Sequence, residues 1–146
     1  MSTGRICTRT VVTASARESV LEVARRMEEH GVGTVVVVDE NAKPVGIVTD
    51  RDLVLRCIAA ELEPAGTRVS DVMTQEVRTV DESTPIEQAL RTMAGAGTRR
   101  LVVTGTGGKL AGLLSMDDFV ELLAEEATSL GEIVRNDRPA IASRGG

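Results

Sequence analysis

A chain of 146 residues is long enough for one domain with a proper core, or for two half-domains that share one. Its net charge of −5 and its single aromatic residue, Phe119, argue against both the basic face and the stacking platform of a nucleic-acid binder. With 42% hydrophobic and 27% charged residues it reads as a globular protein. No apolar run approaches the roughly 20 residues that span a bilayer, and Met1–Arg5 lacks the apolar core of a signal peptide, so a cytoplasmic location is expected.

The first β-prone segment is Thr10-Val-Val-Thr13. A helix follows, because Ser19-Val-Leu-Glu22 has capping-box spacing and Val20, Val23, Ala24 and Met27 recur as an amphipathic stripe. His30 and Gly31 close it, the glycine free to take a left-handed cap. Thr34 to Asp39 carries four consecutive valines, which fits a strand buried on both faces. The polar turn Asp39–Lys43 is too short for a crossover helix, so the strand Pro44–Thr49 should return antiparallel. A second helix from about Asp50 places Leu53, Val54, Cys57, Ile58 and Leu62 on one face.

After the break at Glu63–Thr67 the order recurs. Val77–Val80 is a strand, and Thr84-Pro-Ile-Glu87 offers a capping box with proline at the first helical position. Ile86, Ala89, Leu90 and Met93 repeat the buried stripe, and Leu101–Thr104 and Leu110–Ser115 are paired strands. The final helix, from near Met116, carries a seam of Phe119, Leu123, Ala127, Leu130 and Val134 that outlasts its counterpart. A seam that long has more apolar surface than its own repeat covers, so it should pack on a second subunit or back over the core.

The recurrence is a repeat of fixed offset. Lys43-Pro-Val-Gly-Ile-Val-Thr-Asp-Arg-Asp52 returns as Lys109-Leu-Ala-Gly-Leu-Leu-Ser-Met-Asp-Asp118, 66 positions on. The same shift carries Thr8 onto Thr74, Arg25 onto Arg91, Met27 onto Met93, Gly31 onto Gly97 and Val36-Val37 onto Val102-Val103 without a gap. One supersecondary unit of order strand, helix, strand, strand, helix thus occurs twice, an α+β fold packed as a pseudo-two-fold pair. The boundaries expected are repeat 1 over 1–62, a linker over 63–68, repeat 2 over 69–127, a helical extension over 128–137 and a disordered tail over 138–146.

On the doubled Gly46-Ile-Val-Thr49-Asp-Arg-Asp52 and Gly112-Leu-Leu-Ser115-Met-Asp-Asp118, the inter-repeat Val69-Ser-Asp-Val-Met-Thr74 and the doubled Met-x-x-x-Gly, the chain resembles the CBS-domain family, as a stand-alone CBS pair or Bateman module. The resemblance covers residues 6 to 125. It implies a regulatory module that binds adenosine-containing ligands, AMP, ADP, ATP or S-adenosylmethionine, in clefts between the repeats. The ribose-holding role falls to Asp52 and Asp118, and the role near the phosphates to Thr49 and Ser115. Arg51 complements a phosphate, where its counterpart Asp117 repels one. Arg99 and Arg100 stand where the first repeat has Gly33 and Thr34, and basic residues there reach a phosphate in family members.

The same Thr-x-x-Asp spacing is also a capping box that needs no ligand, and the arginines are equally a solvated strand end. Lys43 and Lys109 read as turn residues, and Met27 and Met93 as core. Cys7 and Cys57, at non-equivalent positions, read as buried small hydrophobes, and no metal site or catalytic constellation is expected. The leading reading is a non-catalytic nucleotide sensor acting through a homodimer or an unknown protein partner. Its rivals are a ligand-free assembly module and an enzyme using a cleft carboxylate on a nucleotide.

Overall fold

The computed structural model describes the backbone of residues 1–145 and the side chains of residues 1–137. The tail expected over 138–146 lies outside the residues described with side chains. The chain forms two compact units, Met1–Leu114 and a second that begins at Ser115.

The first unit opens with a short helix α1 (Thr3–Ile6), then β1 (Thr13–Ala14), α2 (Val20–His30), β2 (Thr34–Val38), β3 (Pro44–Thr49) and α3 (Asp50–Leu53). A π-helical turn, Val54–Ile58, continues α3. After a 3-10 turn at Val69–Asp71 come β4 (Thr79–Asp81), α4 (Ile86–Ala96), β5 (Arg100–Thr104) and β6 (Leu110–Ser115). The strands form two sheets, β1-β2-β3 and β4-β5-β6.

Local chemistry accounts for the elements. Ser19 accepts from the Glu22 N–H at 3.1 Å to start α2, and Gly31 ends it at φ 64° with its N–H shared between Met27 and Glu28 carbonyls. The Asp39 carboxylate accepts from the N–H groups of Asn41 and Lys43, which closes the turn and returns β3 antiparallel to β2 with Val36 opposite Ile47. β1 lies parallel to β2 and β4 parallel to β5. The valine run is buried from Val35 to Val37, and its counterpart from Leu101 to Val103.

The sequence pattern gave no sign that the leading segments of the two repeats change places. Thr3 and Gly4, which precede the first sheet, donate to the carbonyls of Thr84 and Glu82 at 2.8 Å beside the second, and Thr8 pairs with Leu113 through two 2.9 Å bonds. Conversely Val20 donates to Thr67, Val69 to Glu18, and Ile47 pairs with Thr74 at 3.0 and 2.9 Å. The bridges Thr8–Leu113 and Ile47–Thr74 obey the 66-residue offset. Val69 and Val72 thereby join Val20, Val23, Val35 and Cys57 in one core.

Three expectations are corrected in detail. The first strands of the repeats are short, Thr13–Ala14 and Thr79–Asp81, rather than Thr10–Thr13 and Val77–Val80. The Thr84–Glu87 capping box does not form: Pro85 is the N-cap with no side-chain bond, the Thr84 carbonyl serves Thr3, and the Ile86 N–H donates to the Met1 carbonyl. The segment crossing from the chain's start does the work of a cap.

The helix after β3 buries only Leu53 and Cys57 of its expected face. The wider π turn leaves Val54, Ile58 and Leu62 exposed. In the second unit, helix α5 (Met116–Gly145) buries Phe119 but leaves Leu123, Leu130 and Val134 56–65% exposed. The seam is uncovered within one chain.

Candidate functional site

In the first unit a cavity of about 320 Å³ opens between β3 and β5. Its floor is the segment Thr74–Arg78, which is laddered to both sides. Ile47 and Thr74 exchange backbone bonds, while the Val102 N–H donates to the Arg78 carbonyl at 3.1 Å. Between these anchors the Val77 N–H turns back to the Gln75 carbonyl at 3.0 Å, a tight turn that lifts Glu76 and Val77 to the rim. The far wall is the end of α4, where Gly97 at φ 64° turns the chain so that Ala96 and Thr98 face inward.

Thr49 and Asp52 form the near wall as a complete capping box. The Asp52 Oδ2 accepts from the Thr49 N–H at 2.9 Å, and the Thr49 Oγ1 accepts from the Asp52 N–H at 3.2 Å. The capping reading of this motif is therefore realised. It leaves the Thr49 hydroxyl proton and the Asp52 Oδ1 for other partners. Arg56 Nη2 stands 3.8 Å from that Oδ1.

Opposite lie Arg100 and Arg78, whose guanidinium groups have no protein partner among the described residues, and Glu76, equally unpaired. Two cations, one at the end of the floor segment and one on β5, with a carboxylate bearing an open oxygen on the near wall, suit a ligand with an anionic end and a hydroxyl-bearing end. Ile47, Val77, Ala96 and Val102 supply the aliphatic grip that a chain with one aromatic residue must use for a flat ring. At 320 Å³ the cavity is at the small end of ligand sites, which run from about 300 to 1,000 Å³.

Of the residues singled out from sequence, Thr49, Asp52 and Arg100 line this cavity. Arg51 does not. It borders a separate, more open hollow with Asp50, Val54 and Leu55, because the helix turns it to the other side of the Thr49–Asp52 box. Arg99, in the bend just before β5, lines neither hollow. In the second unit Ser115 and Asp118 make their own box, the Asp118 Oδ2 accepting from the Ser115 N–H at 2.8 Å and from its hydroxyl at 3.3 Å.

Sequence reasoning missed Arg78, Glu76, Thr74 and Thr98. The signal was present: the counterpart of Arg78 is Val12, the same kind of departure from the repeat that Arg100 makes from Thr34. Both cysteines are buried and free of disulfide bonds. Among the described residues no cluster of His, Cys, Asp or Glu has metal-site geometry, and no helix is long and apolar enough to cross a membrane.

The family model for the CBS domain matches residues 4–58 and again 69–125. The chain is 38% identical over 122 residues to protein MK0525 of Methanopyrus kandleri, covering 84% of this chain but only 62% of that protein's length. It is 40% identical over 103 residues to YlbB of Bacillus subtilis, covering 70% and 68% of the two chains. Among solved structures, the CBS domain protein PAE2072 from Pyrobaculum aerophilum, complexed with AMP, superposes with a TM-score of 0.75 at 27% identity, covering 88% of this chain and 99% of that one.

Proposed function

We propose, for a chain that belongs to the CBS-domain family, that it is a non-catalytic regulatory module whose cavity takes up an adenosine-containing ligand. The observation that carries this reading is the pairing of Asp52, with one carboxylate oxygen still open, and the unpartnered guanidiniums of Arg78 and Arg100 across a cavity of nucleoside size. A ribose diol donates to the carboxylate, a phosphate or other anionic group accepts from the arginines, and the base lies between Ile47, Val77 and Val102. The AMP held by PAE2072 supports the ligand class.

Occupancy would be passed on as a population shift. The exposed seam of α5 supports a second copy of the chain as the receiving partner, since Leu123, Leu130 and Val134 are more than half exposed. Thermal unfolding with AMP, ADP, ATP, S-adenosylmethionine and NADH, against a GTP control, tests the ligand. At 100 times its dissociation constant a ligand stabilises by about 2.7 kcal/mol, and a domain of this size moves about 2 to 4 °C per kcal/mol, so binding raises the midpoint by about 5 to 10 °C. Asp52→Ala removes that shift. A flat panel refutes the sensor and leaves the assembly module.

A further inference from the structure

We infer that Arg56 is the positioning residue of this cavity: it holds the Asp52 carboxylate with Oδ1 turned to the ribose. This rests on the adenosine reading of the cavity and adds to it a residue that does not line the cavity at all.

The geometry is that of a bracket. Arg56 Nη1 donates to the Val72 carbonyl at 3.0 Å and to the Thr74 Oγ1 at 3.3 Å, which fixes one edge of the guanidinium to the segment that becomes the cavity floor. The other edge presents Nη2 to Asp52 Oδ1 at 3.8 Å. That separation is too long for a hydrogen bond and close enough for charge attraction. Oδ1 thus faces a cation without its lone pairs being used up, while Oδ2 is committed to the Thr49 N–H.

The second repeat serves as an internal control. Its carboxylate accepts from the matching backbone group, Ser115 N–H to Asp118 Oδ2 at 2.8 Å, with the Ser115 hydroxyl donating to the same oxygen, yet the residue matching Arg56 is Leu122. The cap itself therefore has no need of a cation four residues on. Arg56 acts on the one oxygen that the cap does not use.

The test is a cycle between residue and ligand, read by calorimetric titration of AMP and 2′-deoxy-AMP into the wild-type protein, Arg56→Leu and Arg56→Lys. Because the bracket works through the ribose hydroxyls, Arg56→Leu should weaken AMP about tenfold and 2′-deoxy-AMP by less than about threefold, tenfold being the scale of one charge-assisted contact. Arg56→Lys, which restores the charge, should recover most of the AMP affinity. Equal weakening of both nucleotides, or of neither, overturns the assignment while leaving the adenosine site standing. If the wild-type protein takes up neither nucleotide, the adenosine reading falls and the assignment with it.

Discussion

Replacing Gly46 by alanine tests whether the exchange of leading segments, rather than either sheet alone, sets the geometry of the cavity floor. A Cβ built at Gly46 runs into the Met73 side chain, meeting its Sδ, with Cγ at 2.9 Å and Cε at 3.0 Å. Met73 is next to Thr74, which bridges to Ile47, so the methyl group presses on the joint that holds the floor to β3. Overpacking of this kind costs about 1 to 3 kcal/mol, which is about 2 to 12 °C in the unfolding midpoint of a domain this size. Because the obstacle is a flexible thioether, Met73→Ala should relieve it. In a double-mutant cycle the pair should cost less than the sum of the single changes by about 1 to 2 kcal/mol. Gly112 provides the contrast: its added Cβ meets Cys7 Sγ at 2.6 Å but also the Thr8 carbonyl oxygen at 2.8 Å, and backbone cannot be trimmed away. Gly112→Ala should therefore resist rescue by Cys7→Ala. Urea unfolding of the six variants reads the cycle. Additive costs at Gly46 and Met73, or an unperturbed Gly46→Ala, would refute the view that sulfur side chains seated on glycines lock the repeats together.

Two further outcomes follow from charge and surface. Glu18 binds Arg26 through two bonds of 2.6 and 2.7 Å, and that hydrogen bonding holds its carboxyl below the ordinary range. A lowered folded value means stability fully present above the ordinary carboxylate range and lost as the pH falls through the folded value. With both side chains partly solvated the pair is worth about 1 kcal/mol, so Glu18→Gln should lower the midpoint by about 2 to 4 °C at pH 7 and make no difference well below pH 4. A gap that persists in acid would assign the loss to something other than charge. On α5, Leu123→Glu with Leu130→Glu should turn a dimer into a monomer by light scattering with little change in secondary structure; a wild-type protein that is already monomeric removes the seam as a contact between copies.

Legibility in the sequence followed the range of the interactions. Helix α2 was readable because Ser19, the Val20–Met27 stripe and Gly31 act within a few residues of one another, and the Val35–Val37 run because its burial is the same on both faces. The Thr84–Glu87 box failed for a long-range reason, since Met1 and Thr3 arrive from the chain's start and satisfy the groups it would have served. Val54 and Ile58 failed for a local one: the one-face reading assumes 3.6 residues per turn, and the π turn carries these residues off the stripe that Leu53 and Cys57 keep. Thr49 and Asp52 announced themselves by their doubling. Arg78 did not, because it has no partner in the other repeat, and a search for what repeats passes over what breaks the repetition.

That breakage has a direction. Departing from the repeat, Arg78 replaces what is Val12, Arg100 what is Thr34, and the matching residue for Arg56 is Leu122. All three cations gather at or behind one cavity, on the joint where the floor segment is bonded to β3 through Ile47 and to β5 through Val102. A ligand that reaches from Asp52 to Arg100 touches both sides of that joint. On the proposed reading its binding energy then depends on the spacing of β3 and β5. A preference of one spacing over another by a factor of ten supplies about 1.4 kcal/mol of bias, enough to change the populations of two states of similar energy. A ligand held by one wall alone would have equal affinity for both spacings and would shift nothing, however tightly it bound. On the proposed reading, the Asp52 carboxylate in α3 after β3 and the guanidiniums of Arg78, just before β4, and Arg100, in β5, give the pocket the two-sided hold that a sensor requires.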